Sequence, residues 1–125
     1  MASGIDILLI EDEPNIAEAV RFMLSRDGWG IALWPEGGEA LAQMRALKPR
    51  LVILDVMLPV ASGLEVLADL RADPELAATP VLLLTARGEA GRSGIASESA
   101  DRILAKPFDN AELRAIVAEM LGAAP

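Results

Sequence analysis

The chain has 125 residues, 53% of them hydrophobic, which fits one domain over residues 1–125 with a core at about 5–121. It contains no cysteine and no histidine, which excludes disulfides, thiolate metal sites, imidazole catalysis and a phosphohistidine carrier. A net charge of -8 argues against nucleic acid as a direct ligand, and no apolar run is long enough to cross a bilayer, so we expect a soluble, cytoplasmic protein.

Five short apolar runs alternate with stretches of helical period, a pattern typical of an α/β fold with a parallel sheet. The expected elements, in chain order, are strand Ile5–Ile10, a helix from Pro14 to Gly28, strand Gly30–Trp34, a helix from Gly38 to Leu47, strand Leu51–Leu54, a helix that follows Ser62 and stops before Pro74, strand Val81–Leu84, a weak helix, strand Arg102–Ala105 and a last helix capped by Asp109. The first helix should bury one apolar stripe, formed by Ile16, Ala19, Val20, Met23 and Leu24.

The weak helix lies between Thr85 and Lys106, in the stretch ARGEAGRSGIASESADRILA. Its interior glycines, Gly91 and Gly94, each lower helix stability by about 1 kcal/mol relative to alanine. Ile95 is the one large apolar anchor before the last strand. We therefore predict a short or irregular helix in this part of the chain.

Polar side chains follow four of the five predicted strands. Glu11 and Asp12 follow the first strand, Asp55 the third, Thr85 the fourth and Lys106 the fifth. Parallel strands joined by right-handed crossovers end on the same edge of their sheet, and open α/β sheets bind ligands at that edge. We therefore expect one pocket that holds three carboxylates, one hydroxyl and one amine.

The chemistry of such a pocket favours a metal ion. Three clustered carboxylates repel one another, and one lysine cannot offset them all. A hard divalent cation can, and a ligand set of oxygens alone suits Mg²⁺, bound by Asp12 and Asp55. A phosphoryl group would lie between this cation and Lys106, and an aspartate can itself accept it as an aspartyl phosphate. The residues therefore predict Mg²⁺-assisted phosphoryl transfer to a carboxylate.

Four short motifs occur at these strand ends in order, namely IEDE, DVMLPVASG, TA and KPF. Together they resemble the response-regulator receiver domain of two-component signalling, and the resemblance covers nearly the whole chain. It implies a flavodoxin-like receiver fold, with a doubly wound five-stranded parallel sheet of order 2-1-3-4-5 flanked by five helices. It also implies a phosphorylation-controlled switch that is not an enzyme but assists its own phosphorylation and dephosphorylation.

Carried over by position, the resemblance implies a role for six residues. They are Asp55 as the phosphoacceptor, Asp12 as a direct Mg²⁺ ligand, Glu11 as its acidic neighbour in the metal site, Met57 as a ligand through its backbone carbonyl, Thr85 as the hydroxyl that moves onto the phosphoryl group, and Lys106 as the ion-pair partner of that group. The Lys106–Pro107 bond is implied to be cis. The implied partners are a histidine kinase or histidine phosphotransfer protein, and a downstream protein or fused output domain.

Three alternatives come from other functional classes. A phosphatase of the haloacid dehalogenase type needs a second aspartate two residues after the first, where Met57 stands. An FMN binder needs a phosphate loop where Glu11 and Asp12 stand. The serious alternative is a pseudo-receiver, a binding module that signals without phosphorylation. Ile103 keeps it open, because the family usually has a rotating tyrosine or phenylalanine at this position, three residues before the lysine.

Overall fold

The computed structural model describes residues 5–86 and 100–122 of the chain. Within these ranges the elements are β1 (Ile7–Ile10), α1 (Pro14–Arg26), β2 (Ile31–Trp34), α2 (Ala40–Leu47), β3 (Leu51–Asp55), α3 (Gly63–Ala72), β4 (Val81–Ala86), β5 (Arg102–Lys106) and α4 (Asn110–Leu121). The weak helix predicted around Gly91 and Gly94 lies outside the described residues. No helix in the described ranges is long and apolar enough to span a membrane.

The five strands form one sheet in the predicted order, β2-β1-β3-β4-β5. All neighbouring strands are parallel, and β1 pairs with both β2 and β3. The strand order therefore reverses at β1, and the carboxyl ends of β1 and β3 lie side by side. Open α/β sheets bind their ligands at such a point.

The central strands are apolar on both faces because helices cover both sides of the sheet. Every residue of β1 and β3 is buried. Successive side chains of a strand point to opposite faces. Ile7 and Leu9 pack with apolar residues of α1 and α4, whereas Leu8 and Ile10 pack with those of α2 and α3. The two apolar layers thus fix the strands, and with them the residues that follow each strand.

Local sequence signals set several of the helix ends. Helix α1 begins at Pro14, and Gly28 follows it with a positive φ of 100°. Ser62 and Glu65 form a reciprocal capping box at the start of α3. Asp109 caps α4 by accepting a hydrogen bond from a backbone N–H of its first turn. These ends agree with the sequence analysis.

Several boundaries and one buried face differ from the prediction. Strand β1 begins at Ile7, β3 extends to Asp55, and β5 extends to Lys106. On α1 the structure buries Ala17 and exposes Ala19, whereas the sequence predicts Ala19 in the apolar stripe. Alanine carries a weak hydrophobic signal, so either position was compatible with the stripe formed by its larger neighbours.

Val60, in the loop between β3 and α3, has a left-handed backbone with φ 74°, and its side chain is 82% exposed. A β-branched residue is rare there because its Cβ crowds the following carbonyl oxygen. We predict that Val60→Gly raises the free energy of unfolding by about 1 kcal/mol, since glycine relieves the crowding and little contact is lost. Urea denaturation measures this. Val60→Ala keeps the Cβ, so its free energy of unfolding should rise clearly less. An unchanged free energy of unfolding in Val60→Gly would show that the backbone at position 60 is not strained.

Candidate functional site

Three carboxylates meet at the carboxyl ends of β1 and β3, as predicted. Glu11, Asp12 and Asp55 each bring a carboxylate oxygen to within 4.8 Å of the others. Glu11 and Asp55 are each only 2% exposed, whereas Asp12 is exposed. Buried charges are ordinarily compensated by a partner of opposite sign. The two buried acids therefore need a cation close by.

Lys106, the last residue of β5, is that cation. Its Nζ lies 3.0 Å from Asp55 Oδ2 and 3.0 Å from Glu11 Oε1. The next peptide bond, Lys106–Pro107, is cis, as the resemblance implied. The shared pocket predicts Lys106 beside Asp55, and this contact is a hydrogen bond, whereas Glu11 Oε1 meets Lys106 as an ion pair and has no hydrogen-bond partner among the described residues. The contact with Glu11 is not predicted from the sequence. Glu11 was predicted only as an acid of the metal site, and nothing in the sequence indicates which of its neighbours the lysine reaches.

Burial changes the proton affinity of both ends of this ion pair. Burial raises the pKa of the Glu11 carboxyl, and the Asp55 charge adds to the rise, while the nearby ammonium of Lys106 opposes it. Burial alone would lower the pKa of Lys106, but the adjacent carboxylates of Asp55 and Glu11 outweigh this effect and raise it. The lysine is therefore held in its charged form.

Backbone N–H groups hold the two buried carboxylates in place. The N–H of Met57 donates to Asp55 Oδ1 at 3.2 Å, and the N–H of Glu13 donates to Glu11 Oε2 at 3.1 Å. Each acid thus has one oxygen on the backbone and the other on Lys106. The Met57 side chain is exposed, and the bond from its N–H is not predicted from the sequence. Its carbonyl as a metal ligand stays a prediction.

Thr85 is buried near the end of β4, and its Oγ1 has no hydrogen-bond partner among the described residues. In the sheet register Leu84, the residue before it, is opposite Asp55, and Ala86, the residue after it, is opposite Lys106. Buried hydroxyls in native proteins are ordinarily hydrogen-bonded. Within the described residues the Thr85 hydroxyl is therefore available to donate a hydrogen bond to an acceptor next to Asp55.

The donor set fits a hard divalent cation. The cluster offers carboxylate oxygens and no nitrogen or sulfur ligand, which favours Mg²⁺ or Ca²⁺ over transition metals. Lys106 contacts Glu11 and Asp55, so its single charge leaves the three acids with an excess of negative charge. Exposed Asp12 gives the cluster an open side. A cation bound there would offset the excess.

Comparison with known families decides what kind of domain carries this site. The response regulator receiver domain family matches residues 7–118. The chain belongs to this family. The resemblance inferred from the motifs is confirmed, and so is the receiver fold with its 2-1-3-4-5 sheet. The pseudo-receiver alternative is not favoured, while the roles of the individual site residues stay predictions.

Two curated relatives show what share of their own length this chain matches. The response regulator Rre1 of Synechocystis is 39% identical over 123 residues, which are 97% of this chain and 53% of the relative. The probable transcriptional regulatory protein TcrX of Mycobacterium tuberculosis is 43% identical over 112 residues, which are 87% of this chain and 46% of the relative. The chain therefore spans about half the length of the curated relatives it matches.

Two solved structures carry the metal in question. The response regulator TrrA of Thermotoga maritima, in complex with Mg²⁺ and BeF, superposes with a TM-score of 0.84 at 36% identity over 94% of this chain and 99% of its own. The receiver domain of a sensor histidine kinase from Pseudomonas aeruginosa has Mg²⁺ in its active-site cleft, with a TM-score of 0.84 at 29% identity over 96% of this chain and 99% of its own. Mg²⁺ binding is thus found among the structural neighbours of this receiver domain.

Proposed function

We propose that this receiver domain takes a phosphoryl group on Asp55 from a phosphohistidine of a partner protein. The observation that carries the proposal is the placement of Asp55, which is buried at the end of β3 with Lys106 at 3.0 Å and further acids beside it. The chain has no histidine of its own. The donor histidine therefore lies outside these residues, and the family indicates a histidine kinase or a histidine phosphotransfer protein.

The transfer needs few groups of the protein. A carboxylate oxygen of Asp55 attacks phosphorus and forms a P–O bond, while the P–N bond breaks and the donor imidazole keeps the electron pair and takes up a proton. Asp12, Asp55 and the Met57 carbonyl, with Glu11 beside them, would hold Mg²⁺, and the bound cation would supply positive charge to the phosphoryl oxygens.

Lys106 and Thr85 complete the site from the side of β4 and β5. The ammonium of Lys106 already lies against Asp55 and offsets charge on the transferred group. The hydroxyl of Thr85, which lacks a partner among the described residues, donates a hydrogen bond to a phosphoryl oxygen. The aspartyl phosphate thus draws the Thr85 side chain towards position 55, where Lys106 already lies, and this movement is the switching step.

The output of the switch lies outside this domain. Ile103 on β5 is partly exposed at the position where the family usually has an aromatic residue, and we propose that it acts as a fixed packing element of the output surface.

Relatives named DNA-binding response regulators are about twice as long as this chain. We propose output through a downstream protein or a fused domain in the cytoplasm, without direct nucleic-acid contact by this domain, whose charge is -8.

Mg²⁺ should stabilise the fold, because a ligand that binds only the native state adds RT ln(1 + [L]/Kd) to the free energy of unfolding. We expect the thermal midpoint to rise over the millimolar range of Mg²⁺ in the wild type and to stay constant in Asp12→Ala. Without Mg²⁺ this variant should be at least as stable as the wild type, since a repelled carboxylate is gone. Glu13→Ala removes an exposed neighbouring acid and should keep the Mg²⁺ response. A wild-type midpoint indifferent to Mg²⁺ would refute the metal site.

A further inference from the structure

Two loops beside the site are packed backbone against backbone. We call residues 35–39 the glycine loop and residues 56–62, which follow Asp55, the acceptor loop. The N–H of Gly37 donates to the carbonyl of Pro59 at 3.1 Å. A Cβ on Gly37 would lie 2.7 Å from the carbonyl carbon of Ala61 and even closer to its oxygen. Only glycine fits between these two pieces of backbone.

The glycine loop is itself anchored to the sheet and to the site. The indole N–H of Trp34 donates to the carbonyl of Gly38 at 2.9 Å, which ties the loop to the end of β2. The carbonyl of the same tryptophan accepts a hydrogen bond from the N–H of Glu11 at 3.0 Å. The glycine loop therefore connects the acid at the end of β1 with the bend of the acceptor loop.

The acceptor loop has a conformation that its own residues do not favour. Val60 lies in the left-handed region at φ 74°, where side chains with a Cβ are rarely found. Within the loop, the N–H of Ala61 donates to the carbonyl of Pro59 at 2.9 Å, the same carbonyl that Gly37 reaches. Strained backbone persists where its surroundings determine it. The contact with Gly37 supplies that support from outside the loop.

We propose that Gly37 is a positioning residue for phosphorylation, acting through the acceptor loop. Its contact lies two residues beyond Met57, whose N–H bonds Asp55 and whose carbonyl is expected to face the metal. A shift of the bend at Pro59 would therefore move the Met57 backbone relative to Asp55. The inference rests on the proposed function, since it concerns how the Mg²⁺ and phosphoryl site keeps its geometry.

Gly37→Ala and Gly38→Ala form a matched pair that tests this role. The added Cβ at position 37 meets the Ala61 backbone, whereas at position 38 it meets the side-chain ends of Glu36 and Val60, which can rotate away. Isothermal titration with Mg²⁺ alone should show an affinity lower by a factor on the order of ten in Gly37→Ala, as for other residues that orient metal ligands. Gly38→Ala should remain close to the wild type. Circular dichroism confirms that each variant is folded.

Two further variants make every outcome decisive. Val60→Gly, added to Gly37→Ala, lets the acceptor loop adapt and should recover most of the lost Mg²⁺ affinity. If Gly37→Ala does not fold, Trp34→Phe loosens the same loop without a clash and should also weaken Mg²⁺ binding. If Gly37→Ala is folded and binds Mg²⁺ as tightly as the wild type, the proposal is overturned. If Gly37→Ala does not fold, an unchanged Mg²⁺ affinity of Trp34→Phe overturns it instead. Absent Mg²⁺ binding in the wild type would overturn the proposed function with it.

Discussion

Replacing Lys106 with methionine should lower the free energy of unfolding of the Mg²⁺-free domain by about 3 kcal/mol, at the lower end of the range for breaking a buried ion pair. The substitution removes the ammonium that lies 3.0 Å from both Glu11 and Asp55 and leaves two buried acids without their cation. Urea denaturation in the presence of a chelator measures the loss. Mg²⁺ should restore part of it, because the cation offsets the same charges.

The fall in the free energy of unfolding caused by Lys106→Met should also depend on pH. The pKa of Glu11 is raised from its ordinary 4.5 by burial, and Lys106 opposes that rise, so the pKa is higher still in Lys106→Met. A carboxyl group whose pKa is raised by folding destabilises the native state as the pH rises through that pKa. The difference in the free energy of unfolding between Lys106→Met and the wild type should therefore grow from mildly acidic to mildly alkaline pH. A difference that shrinks over this range would contradict the account.

Lys48→Met is the matched control for this experiment. Lys48, like Lys106, precedes a proline, but its side chain is exposed and it has no ion pair in the described part of the chain. Exposed substitutions of this kind change stability by less than about 0.5 kcal/mol. An equal loss in both variants would mean that the cost comes from removing any lysine charge and not from leaving the buried acids without their cation.

Gly63→Ala should also lower the free energy of unfolding by about 3 kcal/mol, the upper part of the usual range for overpacking a tight contact. A Cβ on Gly63 would lie 2.8 Å from the Cα of Val56 and closer still to the carbonyl oxygen of Asp55. Both are backbone atoms, so the end of β3 or the start of α3 has to move. We expect weaker Mg²⁺ binding as well, since Asp55 belongs to the displaced segment.

Gly30→Ala is the control for Gly63→Ala. The nearest atom to a Cβ at position 30 is Asp6 Oδ2 at 3.5 Å, an ordinary contact distance. Chemical denaturation of the two variants should therefore show a clear loss in Gly63→Ala and a change within about 0.5 kcal/mol in Gly30→Ala. A mild effect at both positions would show that the start of α3 can move away from Asp55 at little energetic cost.

The strand order and the composition of the site could be predicted because they follow from long-range regularities. Apolar runs separated by helical periods indicate parallel strands, and parallel strands bring their carboxyl ends together. This alone placed Glu11, Asp12, Asp55, Thr85 and Lys106 at one edge of the sheet. No knowledge of individual side-chain contacts was needed, since the positions come from the backbone topology.

What could not be predicted depends on local three-dimensional fit. The contact of Lys106 with Glu11 as well as Asp55 depends on the path of the lysine side chain across the sheet edge. The approach of Gly37 to Ala61 joins two loops that are distant in the sequence. Two consecutive glycines before α2 were the one available signal. They indicate freedom of the backbone, but they do not say what approaches it.

Phosphorylation of Asp55 is the central claim, and mass spectrometry of the domain treated with acetyl phosphate and Mg²⁺ tests it most directly. We predict one phosphoryl adduct in the wild type, mapped by peptide analysis to Asp55. The adduct should disappear in Asp55→Asn and persist in Asp69→Asn, which changes an exposed aspartate on α3. Circular dichroism should show that both variants are folded. A wild type that never gains the adduct, or an Asp55→Asn variant that still does, would contradict the account.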